Sequence, residues 1–255
     1  MEPAKVYFTN FRTSLGENLL GKLTRLMKTA GLGELGLKGK FTALKLHFGE
    51  PGNLAYLRPN FLKCIADFVR ECGGKPILTD CNTLYVGGRK NALDHMDSAN
   101  ENGFLTATTG CQIIIGDGLK GTDDVDVPVR GGVYCKTAHI GRAVMDADAV
   151  ISVTHFKCHE QTGCGGALKN LGMGCGSRAG KMDMHADGKP YVDPDRCLGC
   201  GTCQTVCAHG APNLNPGGVM EIDQSRCVGC GRCIGVCPAD AVCSANDASI
   251  QHLCA

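Results

Sequence analysis

Two runs of cysteine near the C-terminus repeat one spacing: Cys197-Leu-Gly-Cys200-Gly-Thr-Cys203-Gln-Thr-Val-Cys207 and Cys227-Val-Gly-Cys230-Gly-Arg-Cys233-Ile-Gly-Val-Cys237-Pro238. A C-x2-C-x2-C-x3-C run wraps three thiolates around one cubane and sends the fourth to a second cubane when two such runs share a chain. The expected cofactors are therefore two 4Fe–4S clusters. Cys197, Cys200, Cys203 and Cys237 would hold one, and Cys227, Cys230, Cys233 and Cys207 the other. Each half then completes its neighbour's site. Gly199, Gly201, Gly229 and Gly231 stand between the ligands, where the backbone has to bend sharply and approach sulfide with no Cβ in the way. Paired zinc sites also use C-x2-C, but four cysteines with an x3 final gap fit zinc poorly.

Eighteen cysteines follow an N-terminus, Met1-Glu-Pro-Ala-Lys5, that lacks the basic and long apolar character of a signal peptide. A reducing cytoplasm, where thiols stay available for metal, is the expected location. Formal net charge is +1 and no basic stretch is interleaved with aromatics. Only 5% of residues are aromatic and tryptophan is absent, which leaves little to build base-stacking platforms from. Nucleic acid is thus an unexpected partner. No apolar run approaches the roughly 18 residues of a membrane-spanning helix, so membrane insertion is not expected either. The cysteine unit occupies a small part of 255 residues. The chain is expected to divide into an α/β domain at 1–188, a cluster-binding domain at 189–246 and a tail at 247–255.

Short apolar runs alternate with helical periods through the first part of the chain. Residues 5–9, 42–47, 76–79, 112–115 and 149–153 read as strands, rich in β-branched residues and bounded by Gly, Asp or Asn. Residues 19–30, 61–71, 91–102 and 139–145 carry apolar positions at helical intervals, and Gly73-Gly74 stops the second of these. The expected fold class is α/β with a mostly parallel sheet, followed by a small α+β domain.

Ligands of open α/β sheets bind beyond the carboxyl ends of the strands. Four such endings are rich in polar residues: His47-Phe-Gly49-Glu50-Pro-Gly52-Asn53; Asp80-Cys81-Asn82-Thr83-Leu-Tyr85 with Arg89 close behind; Asp117-Gly118; and Thr154-His155-Phe-Lys157-Cys158-His159 running on to Gly165-Gly166-Ala-Leu-Lys169-Asn170. Singly, His47 reads as a structural histidine, and Asp80 and Asp117 as turn formers. Together they describe a pocket. The glycines after His159 argue for a loop opening a helix at which Lys157, Lys169 and the amides around Gly165 and Gly166 bind an anion, although a plain glycine turn reads equally well. Neither a P-loop nor a dinucleotide fingerprint is legible. Cys158, Cys164 and Cys175 flank this stretch as further soft ligands, whereas Cys64, Cys72, Cys81, Cys111 and Cys135 are scattered like small core residues.

The cysteine repeat resembles bacterial two-cluster ferredoxins from about Tyr191 to Val242, departing from them in Ala208 where proline usually follows the fourth cysteine. Lys45-Leu-His47-Phe-Gly-Glu50, Leu78-Thr-Asp80-Cys-Asn82, His155-Phe-Lys157-Cys-His159 and Gly165-Gly-Ala-Leu-Lys169-Asn170-Leu-Gly-Met173 are similar to the DUF362 family of iron–sulfur proteins. That resemblance covers nearly the whole chain and implies an α/β domain joined to a ferredoxin-like unit. Its members usually continue past that unit, so a chain stopping at Ala255 is either a fragment or a short member. The ferredoxin likeness implies low-potential clusters. Two functions remain open. In one, a small anionic molecule exchanges electrons with the clusters; His155 or His159 donates a proton, Lys157, Lys169 and Asn170 hold the anion, and Asp80 or His47 orients it. In the other, a non-catalytic electron-transfer or sensing module docks a redox partner protein.

Overall fold

The computed structural model describes residues 3–84, 87–132, 135–159, 163–186, 189–227 and 229–244. Tyr85, residues 160–162, the side chain of His159 and the 247–255 tail lie outside them. Asn18 opens α1 (Leu19–Thr29) by accepting the Gly21 N–H, an N-cap that satisfies one of the donors a helix start leaves over. A 3-10 turn leads to β1 (Phe41–Lys45), α2 (Pro59–Glu71) and β2 (Lys75–Asp80). Pro59 starts α2, where its missing N–H costs nothing, and Gly73 at φ 80° ends it in the left-handed region. α3 (Ala92–Glu101), α4 (Thr106–Thr109), β3 (Ile113–Ile115), β4 (Asp124–Pro128), β5 (Thr137–Gly141), α5 (Arg142–Met145) and β6 (Ala149–Ser152) follow.

The sheet has the order β3-β2-β1-β6 with every pair parallel, so the α/β expectation holds. In β1 only Phe41 is exposed and the next four residues are buried, as a central strand covered on both faces requires. α2 buries Leu62, Ile65, Ala66, Phe68 and Val69 in the core that also contains Leu44, Leu46 and Leu78. Each large apolar side chain so buried contributes about 1.5–3 kcal/mol.

Three expectations need correction. Residues 5–9 form no strand: Val6 and Phe8 are 89% and 84% exposed, and no sheet edge meets them. The helix expected over 139–145 begins only at Arg142; His139, Ile140 and Gly141 instead end β5, which pairs antiparallel with β4. Cross-strand pairing of Val125 with Ile140 and Val127 with Ala138 overrides the weak local helical period. The stretch after Phe156, expected as a loop, is a hairpin of β7 (Lys157–His159) and β8 (Gly163–Gly165), followed by the expected helix α6 (Ala167–Gly172). A further helix, α7 (Arg178–Ala186), then leads to the cysteine unit.

That unit contains β9 (Pro190–Val192), α8 (Thr202–Thr205), β10 (Pro212–Leu214), β11 (Met220–Ile222), α9 (Arg232–Val236) and β12 (Val242–Ser244). β9 pairs with β12 and β10 with β11, both antiparallel. The two halves repeat each other bond for bond. Asp193 N–H donates to Ala241 O and Asp223 N–H to Ala211 O, both at 2.8 Å; Cys197 N–H donates to Asp193 O at 3.1 Å and Cys227 N–H to Asp223 O at 3.0 Å. Among the described residues no helix is long and apolar enough to cross a membrane.

Candidate functional site

From β1 the chain moves to β2 on one side and returns to β6 on the other, so the crevice beyond the ends of β1 and β6 is the place where such sheets bind ligands. A cavity of about 180 Å3 lies there, room for a small molecule. Its walls bring together Lys45 at the end of β1 and His47 beyond it, Asp80 at the end of β2, Thr154, His155 and Lys157 after β6, and Gly165, Gly166, Lys169 and Asn170 from the hairpin and α6. Among the expected pocket residues, Asp117 lies elsewhere: it is fully buried and accepts the Asn82 N–H and side-chain amide, both at 2.9 Å. Burial raises its pKa against the opposing pull of Lys181.

Among the described residues, five cations line the cavity, Lys45, Arg89, Lys157, Lys169 and Lys181, against one carboxylate, Asp80. That carboxylate is spent on its neighbours. Oδ1 lies 2.9 Å from Lys45 Nζ and accepts the Cys81 N–H, while Oδ2 lies 3.2 Å from Arg89 Nη1. His95 Nε2, at 3.7 Å, is beyond hydrogen-bond reach. Burial pushes the Asp80 carboxyl up, but Lys45, His95 and Arg89 together outweigh it and hold its pKa well below the ordinary value. Asp80 therefore anchors cations. Asn170 is committed as well: its Oδ1 accepts from Lys45 Nζ at 2.8 Å, and its amide donates to Lys45 O and Ser152 Oγ, clamping β1 to β6. A Cβ on Gly174 would collide with the Asn170 carbonyl and stand 2.5 Å from Lys45 Nζ, so only glycine permits this floor.

The groups left to meet a ligand are different ones. His47 Nδ1 accepts the Gly49 N–H at 2.9 Å, which assigns the ring proton to Nε2. Burial, then the Arg89 charge, lower its pKa to about 3, so it is a neutral donor in the physiological range. His155 Nδ1 is buried with no hydrogen-bond partner among the described residues, an orphan that a ligand would satisfy. Burial and the Arg89 charge lower the pKa of Lys157. Lys45 and Lys181 had no assigned role in the sequence, and Arg89 was named only as a neighbour of the second strand ending. A lysine at the end of a buried strand, one position short of the aligned end of its neighbour at Asp80, was the available signal.

The eight cysteines of the repeat form a second constellation. Cys207, Cys227, Cys230 and Cys233 line one cleft together with Gly229 and Gly231. Cys203 and Cys237 are buried in a common apolar cluster with Cys197 packed against it. Burial, then the thiols of Cys230, Cys227 and Cys203, push Cys233 up to about 12, and burial with Cys237 and Cys200 nearby raises Cys203. Ala211 N–H points at Cys207 Sγ (3.4 Å), Ala241 N–H at Cys237 Sγ (3.3 Å), and Met220 and Gly199 N–H at Cys197 Sγ (3.4 and 3.5 Å). Gly199, Gly201, Gly229 and Gly231 all have positive φ, between 63° and 75°. This donor set suits 4Fe–4S clusters: thiols from both runs facing one cleft, sulfurs met by amides, and no Cβ at the bends. Among the described residues no three His, Cys, Asp or Glu side chains are grouped to hold a single metal ion. Cys175 is buried in a small cluster with Cys81, whereas Cys158 and Cys164 are exposed.

The two constellations share a wall. Leu84 lines the cavity and also packs in the apolar cluster of Cys203, Cys237 and Ile234. On α7, Lys181 faces the cavity while Met182 enters that same cluster. Arg178, fully buried, donates to Thr83 O (3.0 Å), Lys120 O (3.1 Å) and Lys90 O, and its stem lies where a Cβ on Gly231 would come within 2.6 Å. Lys90 Nζ pairs with Asp240 at 2.6 Å.

The sequence pattern of a family described as a domain of unknown function, DUF362, matches residues 42–244. The chain belongs to the DUF362 family. Its DUF362 match runs from within β1 to the last residue of β12 and so takes in both the cavity and the eight cysteines. A curated relative, the thylakoid-associated protein sll1697 of Synechocystis sp., is 29% identical over 168 residues, 62% of this chain and 46% of that protein. The chain thus spans about half the length of that relative.

Proposed function

We propose that this DUF362 protein is a redox enzyme or enzyme subunit with a ferredoxin-like unit at 189–246. Cys197, Cys200, Cys203 and Cys237 hold one 4Fe–4S cluster, and Cys227, Cys230, Cys233 and Cys207 the other. Its α/β domain at 1–188 binds a small anionic molecule. When bound, the clusters supply single electrons. The cavity residues do the rest. Lys157 and Lys169 attract the anion, Asp80 fixes Lys45 while Glu50 and Asp80 together fix Arg89, and the Nε2–H of His47 donates to the ligand without carrying charge. His155 sets an imidazole with an unused Nδ1 against the bound molecule, placed to exchange a proton with it. The observation that carries this reading is the wall at Leu84, which touches the cavity on one side and the cluster cysteines on the other. A reducing cytoplasm is the setting that suits so many thiols.

A second reading, an electron-transfer or sensing module that docks a partner protein, draws support from Leu198. It is 72% exposed between the ligands Cys197 and Cys200, an apolar contact beside the first cluster.

Anaerobic purification with iron and sulfide quantitation tests the cofactors, with about eight irons per chain expected. Electron paramagnetic resonance after dithionite reduction, repeated with a panel of small carboxylates and oxyanions, separates the readings. The enzyme reading expects a spectral shift or reoxidation with one of them. Spectra unmoved by every anion would transfer support to the docking module, and a metal content matching zinc would reject both.

A further inference from the structure

We propose that Cys158 and Cys164 form a reversible cross-strand disulfide that pins the β7–β8 hairpin at the edge of the cavity. The register carries the argument: Lys157 pairs with Gly165, Cys158 with Cys164 and His159 with Gly163. Directly opposed residues of an antiparallel pair have Cα atoms about 4.5–5.5 Å apart, inside the range of about 4.4–6.8 Å over which disulfides form. Their Cβ atoms project to the same face of the ribbon, as opposed residues must. Of the described cysteines only Cys158, Cys164 and the cluster residue Cys200 are exposed. Most of the others outside the repeat are buried or packed in the apolar core. This pair is therefore open to small redox reagents and already faces its partner.

The chemistry is thiol–disulfide exchange with a low-molecular-weight disulfide as oxidant. One cysteine thiolate attacks a sulfur of the reagent, breaking its S–S bond, forming a mixed disulfide and releasing one thiol. The second cysteine thiolate then attacks the mixed disulfide at the protein sulfur, forming the Cys158–Cys164 bond and releasing the second thiol. The two electrons lost by the cysteines end on the two released thiols, with the two protons. Where thiols are otherwise kept reduced, such bonds are characteristically transient and redox-sensing. Oxidation closes the hairpin immediately beside the Lys157 and Gly165 pair, both of which line the cavity. The proposal stands whatever the cavity binds.

Trypsin cleavage after Lys157 and Lys169 releases a peptide, Cys158 to Lys169, that contains these two cysteines and no other. The anaerobically purified holoprotein would be equilibrated with mixtures of reduced and oxidised glutathione, quenched in acid, alkylated and digested, with iron content followed in parallel. With oxidised glutathione in excess the peptide should be unalkylated and lighter by two hydrogens; with reduced glutathione in excess it should be doubly alkylated, reversibly and at constant iron. Cys158→Ser should lose the internally bonded species. Native trypsin should cut after Lys157 several-fold more slowly in the oxidised wild type, and at equal rates in Cys158→Ser under both conditions. Double alkylation at every ratio, two glutathione adducts in place of the internal bond, or protection that a metal chelator removes would each overturn the disulfide. Equal tryptic rates in the two states of the wild type would overturn the pinning.

Discussion

Asp80 shows how one residue in a cavity wall is taken up by its neighbours. Two cations, Lys45 and Arg89, converge on a carboxylate that is only 4% exposed, and removing it takes the carboxylate from the buried Lys45 ammonium while Arg89 keeps its pair with Glu50. Asp80→Asn is expected to destabilise the protein by about 3–5 kcal/mol in denaturant titrations at neutral pH. Because the folded-state pKa is held well below the ordinary value of 3.8, the carboxylate's contribution is complete above that value and fades as pH falls through the folded pKa. The gap between wild type and Asp80→Asn should therefore stay constant from neutral pH down to about 4 and narrow only below it. A gap that is negligible at pH 7, or that closes already between pH 7 and 5, would show that the carboxylate does not hold the two cations. At this scale the sequence was informative about position and less so about role. His47, Asp80, His155 and Lys157 could be placed because strand ends are where open sheets present side chains. That Asp80 and Asn170 face inward, onto Lys45, depends on register between strands, which no local pattern encodes.

Among the elements, the strands of the parallel sheet were legible from short segments rich in apolar and β-branched residues, as in residues 42–45 and 76–79 of the central strands and 149–152 at the edge. The β4–β5 hairpin and α7 were not. β4 alternates Asp with Val in a pattern weak on its own, and α7 owes its seat to Arg178 and Met182, whose partners lie in segments distant in sequence. The cysteine unit is the opposite case: its repeated spacing makes the glycine bends with positive φ and the doubled hydrogen-bond pattern legible from the sequence. The same doubling predicts a crossed effect of mutation. Cys207 belongs to the first run but lines the cleft of Cys227, Cys230 and Cys233, so Cys207→Ser should remove about half of the iron. The spectrum that remains should be the one lost instead in Cys197→Ser. If Cys207→Ser and Cys197→Ser deplete the same spectral component, the ligands do not cross.

Across the whole molecule, the sheet and the cysteine unit meet at a contact made by few residues: Leu84 and Met182 in the apolar cluster, the Lys90–Asp240 ion pair and Arg178. Arg178 carries a particular consequence. Its guanidinium grips Thr83 O and Lys90 O, the two ends of the segment that supplies Leu84 and Arg89 to the cavity, while its stem rests on the turn at Gly231 between Cys230 and Cys233. If clusters and an anion bind as proposed, a shift of that turn reaches the cavity wall through Arg178, and any coupling free energy between the two occupancies acts equally in both directions. Iron should leave the holoprotein to a chelator more slowly when an anion fills the cavity, and Arg178→Met should abolish the difference; equal rates in the wild type with and without the anion would mean that no such coupling exists. A cavity of this kind would report on whether the clusters are in place, so that a chain lacking them meets its ligand with a different affinity.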